Sequence, residues 1–230
     1  MPADKTEGDI SFCVCFCLFI ATPGGVIGPA ILKQLREETR PAHLALESQP
    51  LMKRLLSSRL TAMEYGQLIQ SMLAFYQALE SQLAPATAAL LERHPDPNYR
   101  YLPRAPLLAN DCRALGCDSS GLMRGPTELR LDGSGAYLLG VLYVIEGSTQ
   151  GGRFIAKHLA QTLGLNENSG ASFFNIHQWN NSWAAFRSWL STDLERSYQD
   201  DTRSIIEGAN MTFSTLHTHL DQWQLLIHGR

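Results

Sequence analysis

Apolar residues recur at steps of three and four along most of the chain from Ala30 onward, which places them on one face of an α-helix. The stripe is clearest in one long segment, where these side chains share a face: Tyr65, Leu68, Met72, Phe75, Tyr76, Leu79 and Leu83. No apolar run alternates with the period of two that a half-buried strand requires. The pattern therefore predicts an all-α fold, a single multi-helical domain of about seven helices.

Capping and breaking residues indicate where these helices begin and end. Thr61-Ala62-Met63-Glu64 is a capping box that should start a long helix, and His94-Pro95-Asp96-Pro97 should end it. Ser134 is predicted to cap another long helix that ends at Gly164. Pro41 should kink or restart the first helix. Two later helices are predicted at approximately these ranges: 181–197 and 201–226.

Composition excludes several classes of protein. The 230 residues include 19 Lys and Arg against 22 Asp and Glu, a formal net charge of −3, which argues against a nucleic-acid-binding surface. The apolar content of 44% excludes a disordered acidic chain, and five cysteines do not form a disulfide framework in this length. We therefore expect a monomeric, cytoplasmic protein without a nucleic-acid or membrane partner.

The first residues differ from the rest. The apolar run from Ile10 to Ala21 carries three of the five cysteines and is shorter than the roughly 20 residues that span a bilayer. Acidic residues precede it, whereas a secretory signal begins with basic ones. We expect residues 1–29 to be a disordered or loosely packed extension, and residues 30–230 to be the domain.

A glycine-rich segment interrupts the strongest helical pattern. Gly147, Gly151 and Gly152 lie within it, and each glycine inside a helix costs about 0.5–1 kcal/mol relative to alanine. Three interpretations are open: a loop between two helices, close packing of helices, or a flat, bulky ligand lying against the backbone.

His43 is the second unusual residue, because it lies on the apolar face of the first helix. It is either a packed histidine bonded to a carbonyl or the single axial ligand of a porphyrin iron. The other six histidines offer no metal-ligand spacing with it. Haem would need only one protein ligand and a flat slot.

Two segments resemble a known family. Residues 35–47, LREETRPAHLALE, resemble the proximal-helix segment of haem oxygenases, and residues 142–152, LYVIEGSTQGG, resemble their distal-helix segment. The two segments are most similar to those of the bacterial, biliverdin-producing branch, including members encoded beside bacteriophytochromes. The resemblance extends from Leu32 to Trp223 and implies haem sandwiched between a proximal helix and a glycine-kinked distal helix.

The resemblance implies roles for individual residues. His43 matches the proximal iron ligand, and Glu47 is a candidate partner for its second ring nitrogen. Arg36 and Tyr143 match residues that bind a haem propionate, and Arg187 is a candidate for the other propionate.

On the distal side, Gly147, Gly151 and Gly152 match positions where the backbone touches the porphyrin. Ser148 stands where mammalian members have an aspartate that anchors proton-donating waters. The source of protons is therefore open, either backbone-held water or a side chain from another helix. Asn210 is a candidate for that side chain, although an amide that packs between helices is the favoured interpretation of it.

Two other sets of residues were assigned to the interior. Glu146 is expected to face away from haem and to bond within the fold. An aromatic cluster is expected in the core or, as the alternative, next to the haem, with these members: Trp179, Trp183, Phe186 and Trp189.

The activity that the resemblance implies is oxidative opening of protohaem by O2 and reducing equivalents, with biliverdin, CO and ferrous iron as products. The implied partners are a ferredoxin or flavoprotein reductase as electron donor and a bacteriophytochrome as biliverdin acceptor. Two alternatives remain at this point: a non-catalytic haem carrier, and a thiaminase-like helical enzyme with the same architecture.

Overall fold

The computed structural model describes residues 30–117, 129, 131 and 134–228, and within these residues the chain is helical and forms no strand. The all-α prediction is confirmed. In chain order the helices are α1 (Ala30–Ser48), α2 (Pro50–Leu55), α3 (Ala62–Arg93), α4 (Ala105–Ala114), α5 (Gly135–Leu163), α6 (Ser172–Asn175), α7 (Ser182–Trp189), α8 (Glu195–Ser197) and α9 (Thr202–His228). Tighter turns at Ile176–Gln178 and Gln199–Asp201 and a wider π turn at Leu190–Leu194 connect the later helices.

The predicted caps are present. The Thr61 hydroxyl accepts from the Glu64 backbone N–H at 3.2 Å, and the Glu64 carboxylate accepts from the Thr61 N–H at 2.9 Å. The Ser134 hydroxyl accepts from the Tyr137 N–H at 3.3 Å, which starts α5, and Gly164 ends α5 with a φ of 69°. These ends depend on contacts within a few residues, which is why the sequence predicts them well.

Two expectations about helix continuity are corrected. Helix α1 runs from Ala30 through Pro41 to Ser48 without interruption, so the expectation that Pro41 restarts the helix is wrong, whereas the expected kink there stays a prediction. Residues 147–152 lie inside α5, so the interpretation as a loop between two helices is wrong. Burial of most of α5 compensates for the low helix propensity of its glycines.

Two short helices were not predicted, and each begins at a side-chain cap, one of them local and the other supplied by a distant helix. The Gln49 side chain accepts from the Leu51 N–H at 2.7 Å and thereby starts α2. The carboxylate of Asp111, on α4, accepts from the Ser172 and Phe173 N–H groups at 2.7 and 2.9 Å and so starts α6. No local pattern could indicate a cap supplied from so far along the chain.

Helix α9 packs against both α5 and α1 and holds them together. Two glycines bring the α5 and α9 backbones into contact. A Cβ on Gly140 would lie 1.9 Å from the Ile205 carbonyl oxygen, and one on Gly208 would lie 2.1 Å from the Tyr137 carbonyl oxygen. Neither position tolerates a side chain at this separation, so the relative placement of α5 and α9 depends on these glycines.

The aromatic cluster is in the core with one exception. Trp189 and Phe186 are fully buried and Trp183 is nearly so, whereas Trp179 is 55% exposed. The assignment of Trp179 to the core is therefore wrong, because Trp179 lies just past the end of the Ile176–Gln178 turn and is not covered by another element.

None of the helices in the described part of the chain is both long enough and apolar enough to cross a membrane. The predicted extension, residues 1–29, lies outside the described residues, and the boundary at residue 30 stays a prediction.

Candidate active site

A cavity of about 630 Å³ opens among α1, α3, α5, α6 and α9. Most of its wall is apolar, and both segments that carry the family resemblance contribute to it. His43 and Arg36 line it from α1, and Tyr143, Ser148 and Gly152 line it from α5. The fold therefore brings together five of the predicted site residues, from segments about a hundred residues apart.

The His43 imidazole lies at the wall of this cavity with 16% of its side chain exposed. Burial lowers its pKa to about 4, so the ring is neutral at neutral pH. The ring of Phe213, on α9, lies 5.4 Å away between centroids and at 87° to the imidazole plane. A neutral imidazole has a lone pair on one ring nitrogen and can therefore coordinate a metal.

Glu47 lies one helical turn after His43, with its Oε1 atom 3.8 Å from the His43 Nδ1 atom. That distance is too long for a hydrogen bond. Glu47 is buried, and burial raises its pKa to about 7. The predicted partner is thus adjacent to His43, and near neutral pH a substantial share of it is protonated.

We expect Glu47→Gln to change the stability of the haem-free protein in a pH-dependent way. The folded pKa of Glu47, about 7, lies above its ordinary value of 4.5, so the wild-type fold loses stability as pH rises through that interval. Glutamine does not titrate, and His43 contributes equally to both proteins. The variant should be close to wild type near pH 4.5 and exceed it by roughly 3 kcal/mol at pH 8.

Urea unfolding of both proteins at pH 4.5, 6 and 8 measures this difference. A stability difference that stays constant across these pH values would show that Glu47 ionises as freely in the folded protein as in the unfolded chain.

One edge of the cavity is cationic. Lys33, Arg36 and Arg40 lie three and four residues apart on α1 and all line the cavity. Glu37 lines it as well and lies 3.9 Å from the Lys33 ammonium, so the edge keeps a net positive charge. Across from this edge, the hydroxyl of buried Tyr143 hydrogen-bonds Thr39, and burial raises the pKa of Tyr143 to about 12. A neutral phenol beside cationic side chains is a suitable environment for a carboxylate.

Arg187 does not join this edge. It lies on α7 with its guanidinium 5.8 Å from the centroid of the Trp183 ring, and it is not among the residues that line the cavity. Its assignment to a second propionate stays a prediction, whereas Lys33 and Arg40 are cavity residues that the sequence reasoning missed. Their spacing from Arg36 was the signal that could have identified them.

The glycine-rich segment presents Ser148 and Gly152 to the cavity, and Gly147 and Gly151 are buried in the same helix. The Ser148 hydroxyl donates to the Ile145 carbonyl at 2.8 Å and also hydrogen-bonds Tyr76, on α3. The sequence reasoning treated Tyr76 only as part of an apolar stripe. Its buried hydroxyl, whose pKa burial raises to about 12, is a polar group beside Ser148.

Glu146, the neighbour of Gly147, is fully buried and bonds within the fold as expected. Its carboxylate accepts from the Tyr99 hydroxyl at 3.0 Å, from the Arg104 guanidinium at 2.6 Å, and from the Ser182 hydroxyl. These three donors lie on the segment before α4, at the start of α4 and at the start of α7. The buried Glu146 carboxylate therefore attaches α5 to three other parts of the chain.

Asn210 packs between two helices, which agrees with its interpretation as a helix-packing amide and not with a role as proton donor. Its side-chain amide donates to the Glu38 carbonyl at 3.5 Å, which joins α9 to α1, and it is not among the cavity residues. Within the described residues no group of three His, Cys, Asp or Glu side chains comes together that could hold a metal ion. The site thus offers one imidazole, an apolar slot and a cationic edge.

Comparison with known proteins agrees with this geometry. A family model described as "Heme oxygenase" matches residues 30–115 and 126–222, which is most of the chain. The chain therefore belongs to the haem oxygenase family. It is a haem-degrading enzyme.

Three bacterial heme oxygenases are among the solved structures with the same fold. Heme oxygenase from Leptospira interrogans is 20% identical with a TM-score of 0.62, covering 84% of this chain and 99% of its own. Heme oxygenase-1 from the cyanobacterium Synechocystis, in complex with heme, is 18% identical with a TM-score of 0.65, covering 84% and 91%. Synechocystis heme oxygenase-2, with heme and NO, is 19% identical with a TM-score of 0.64, covering 86% and 87%. No curated protein matches the sequence significantly.

Proposed function

We propose that this enzyme binds protohaem in the cavity with His43 as the axial iron ligand and opens the ring with O2 to biliverdin, CO and ferrous iron. The observation that carries the proposal is the neutral, buried imidazole of His43 at the wall of a cavity with a cationic edge. Haem supplies, once reduced, an iron that binds and activates O2.

The residues present fit haem, which is an apolar disc with two carboxylates on one edge. The apolar wall matches the disc, and the edge formed by Lys33, Arg36 and Arg40 matches the carboxylates. The Tyr143 hydroxyl, which stays protonated because burial raises its pKa, can donate to one of these carboxylates. The proposed haem orientation therefore has its propionates at α1.

On the α5 side, we assign to Gly147, Gly151 and Gly152 the close approach of helix backbone to the ring. Gly152 supports this assignment because it lines the cavity. It also allows close helix packing, since a Cβ there would lie 3.0 Å from the Phe174 carbonyl oxygen of α6. We assign proton delivery to Ser148, whose hydroxyl hydrogen-bonds Tyr76 and can also hold a water. A neutral histidine on the other side favours O2 activation without strong electron donation.

The electrons are proposed to come from a ferredoxin or a flavoprotein reductase, and a bacteriophytochrome is the proposed acceptor of biliverdin. Both assignments are supported by the similarity of residues 35–47 and 142–152 to the bacterial branch of the family. We place the enzyme in the cytoplasm as a monomer. The free thiols of Cys112 and Cys117 are consistent with a reducing compartment.

Addition of haemin to the purified protein tests the function. We expect a shifted Soret band on binding, followed by loss of that band and growth of a broad red biliverdin absorption when a reductant is added in air. An anaerobic sample is the control and should keep the haem spectrum. A haem spectrum that survives reduction in air would support a carrier, and the absence of any Soret shift would contradict haem binding.

A further inference from the structure

We infer that Phe213 is a positioning residue that fixes the rotation of the His43 imidazole about its side-chain axis. The inference rests on the proposed role of His43 as iron ligand and concerns how that ligand is oriented. It gives α9, which carries neither of the two segments resembling the family, a role in orienting the iron ligand.

The contact between the two rings supports this role. Their centroids are 5.4 Å apart and their planes lie at 87°, an edge-to-face arrangement that aromatic rings favour. Phe213 is buried and lines the same cavity as His43. The terminal torsion of a histidine is broad, so a specific ring orientation requires a neighbour that restricts it.

The Glu47 carboxylate also lies close to His43, yet it acts differently. Its Oε1 atom is 3.8 Å from the His43 Nδ1 atom, beyond hydrogen-bond range, and it belongs to the same helix. Glu47 therefore makes no hydrogen bond that would fix the angle of the ring, whereas Phe213, packed perpendicular to it, restricts that angle sterically.

Phe213 is itself held in place by its helix. Gly208 lies one turn earlier, where the α9 backbone contacts the Tyr137 carbonyl of α5. The Thr212 hydroxyl donates to the Gly208 carbonyl at 2.7 Å, and Asn210 donates to the α1 backbone. The angle of the imidazole therefore depends on the position of α5 as well as on that of α1. Through these contacts, α9 couples the orientation of the His43 ring plane to α5, which forms the opposite wall of the cavity.

Phe213→Leu and Phe213→Met test the inference, because both remove the ring and keep an apolar side chain. The probe is haemin with cyanide, whose ferric complex gives heme-methyl proton shifts with a spread set by the angle of the imidazole plane. We expect both variants to show a reduced spread or a second set of signals. Haemin affinity should fall about two- to tenfold, the loss of one aromatic pair.

Two further variants serve as controls. Met211→Ala removes bulk from the same helix outside the cavity and should keep the wild-type pattern. Phe213→Tyr keeps the ring and should restore the pattern lost in Phe213→Leu. A wild-type shift pattern in Phe213→Leu or Phe213→Met overturns the inference, and so does a Phe213→Tyr pattern that matches the variants without a ring. Failure of the wild-type protein to bind haemin would instead contradict the proposed function.

Discussion

His43→Ala is expected to abolish haem degradation. Among the residues that the structure describes, His43 is the one histidine that lines the cavity. Its removal leaves the iron without a protein ligand on that side, and no other described imidazole can take its place. Haemin should still enter the apolar slot weakly, because the cationic edge of α1 is intact. Biliverdin formation, measured by its red absorption, should fall below detection.

A matched control is His217→Ala, on α9. His217 is partly exposed, pairs with Asp221 at 3.1 Å and does not line the cavity, so its removal should leave turnover unchanged. Free imidazole added to His43→Ala should enter the space left by the side chain and restore part of the activity. Wild-type turnover in His43→Ala without imidazole would show that the ligand is assigned to the wrong residue.

Glu146→Ala is expected to lower the free energy of unfolding more than any other substitution proposed for this protein. The variant leaves the Arg104 guanidinium, which is 1% exposed, without its carboxylate partner. Removing one member of a buried ion pair costs about 3–5 kcal/mol, because the remaining charge is neither solvated nor paired. The Tyr99 and Ser182 hydroxyls lose their acceptor as well. The melting temperature should fall on the order of 10 °C.

Asp221→Ala is the control for this measurement. Asp221 belongs to an exposed pair, and its removal should change stability by less than about 1 kcal/mol. Thermal melts of the haem-free proteins under identical conditions provide the comparison. Equal melting temperatures for the two variants would mean that Arg104 finds another partner once Glu146 is absent.

Much of the fold could be predicted from the sequence, because its signals are local. Thr61, Ser134 and Gly164 act on backbone groups within a few residues, and the predicted helix ends there are confirmed. The short helices α2 and α6 were missed, since α6 is capped by Asp111 from a different helix. Trp179 was misplaced because burial depends on where the chain turns, which helical periodicity does not encode.

In the candidate site, too, some residues were predicted from the sequence and others were identified only in the structure. Arg36, His43, Tyr143, Ser148 and Gly152 were selected from two short motifs, and the structure places all of them at one cavity. The neighbours that act on them were not selected. Tyr76, which bonds Ser148, and Phe213, which packs on His43, each lie on a helix far along the chain from the group they contact.

By itself the sequence determined the helical class, most helix ends and the two segments that indicate haem chemistry. These depend on residue spacing and on caps within a turn or two. Only the tertiary structure decided which cations form the cavity edge, that Arg187 lies away from it, and that His43 stays neutral. Such properties arise from burial and from close contacts like that between Gly140 and α9, which form only when distant helices pack together.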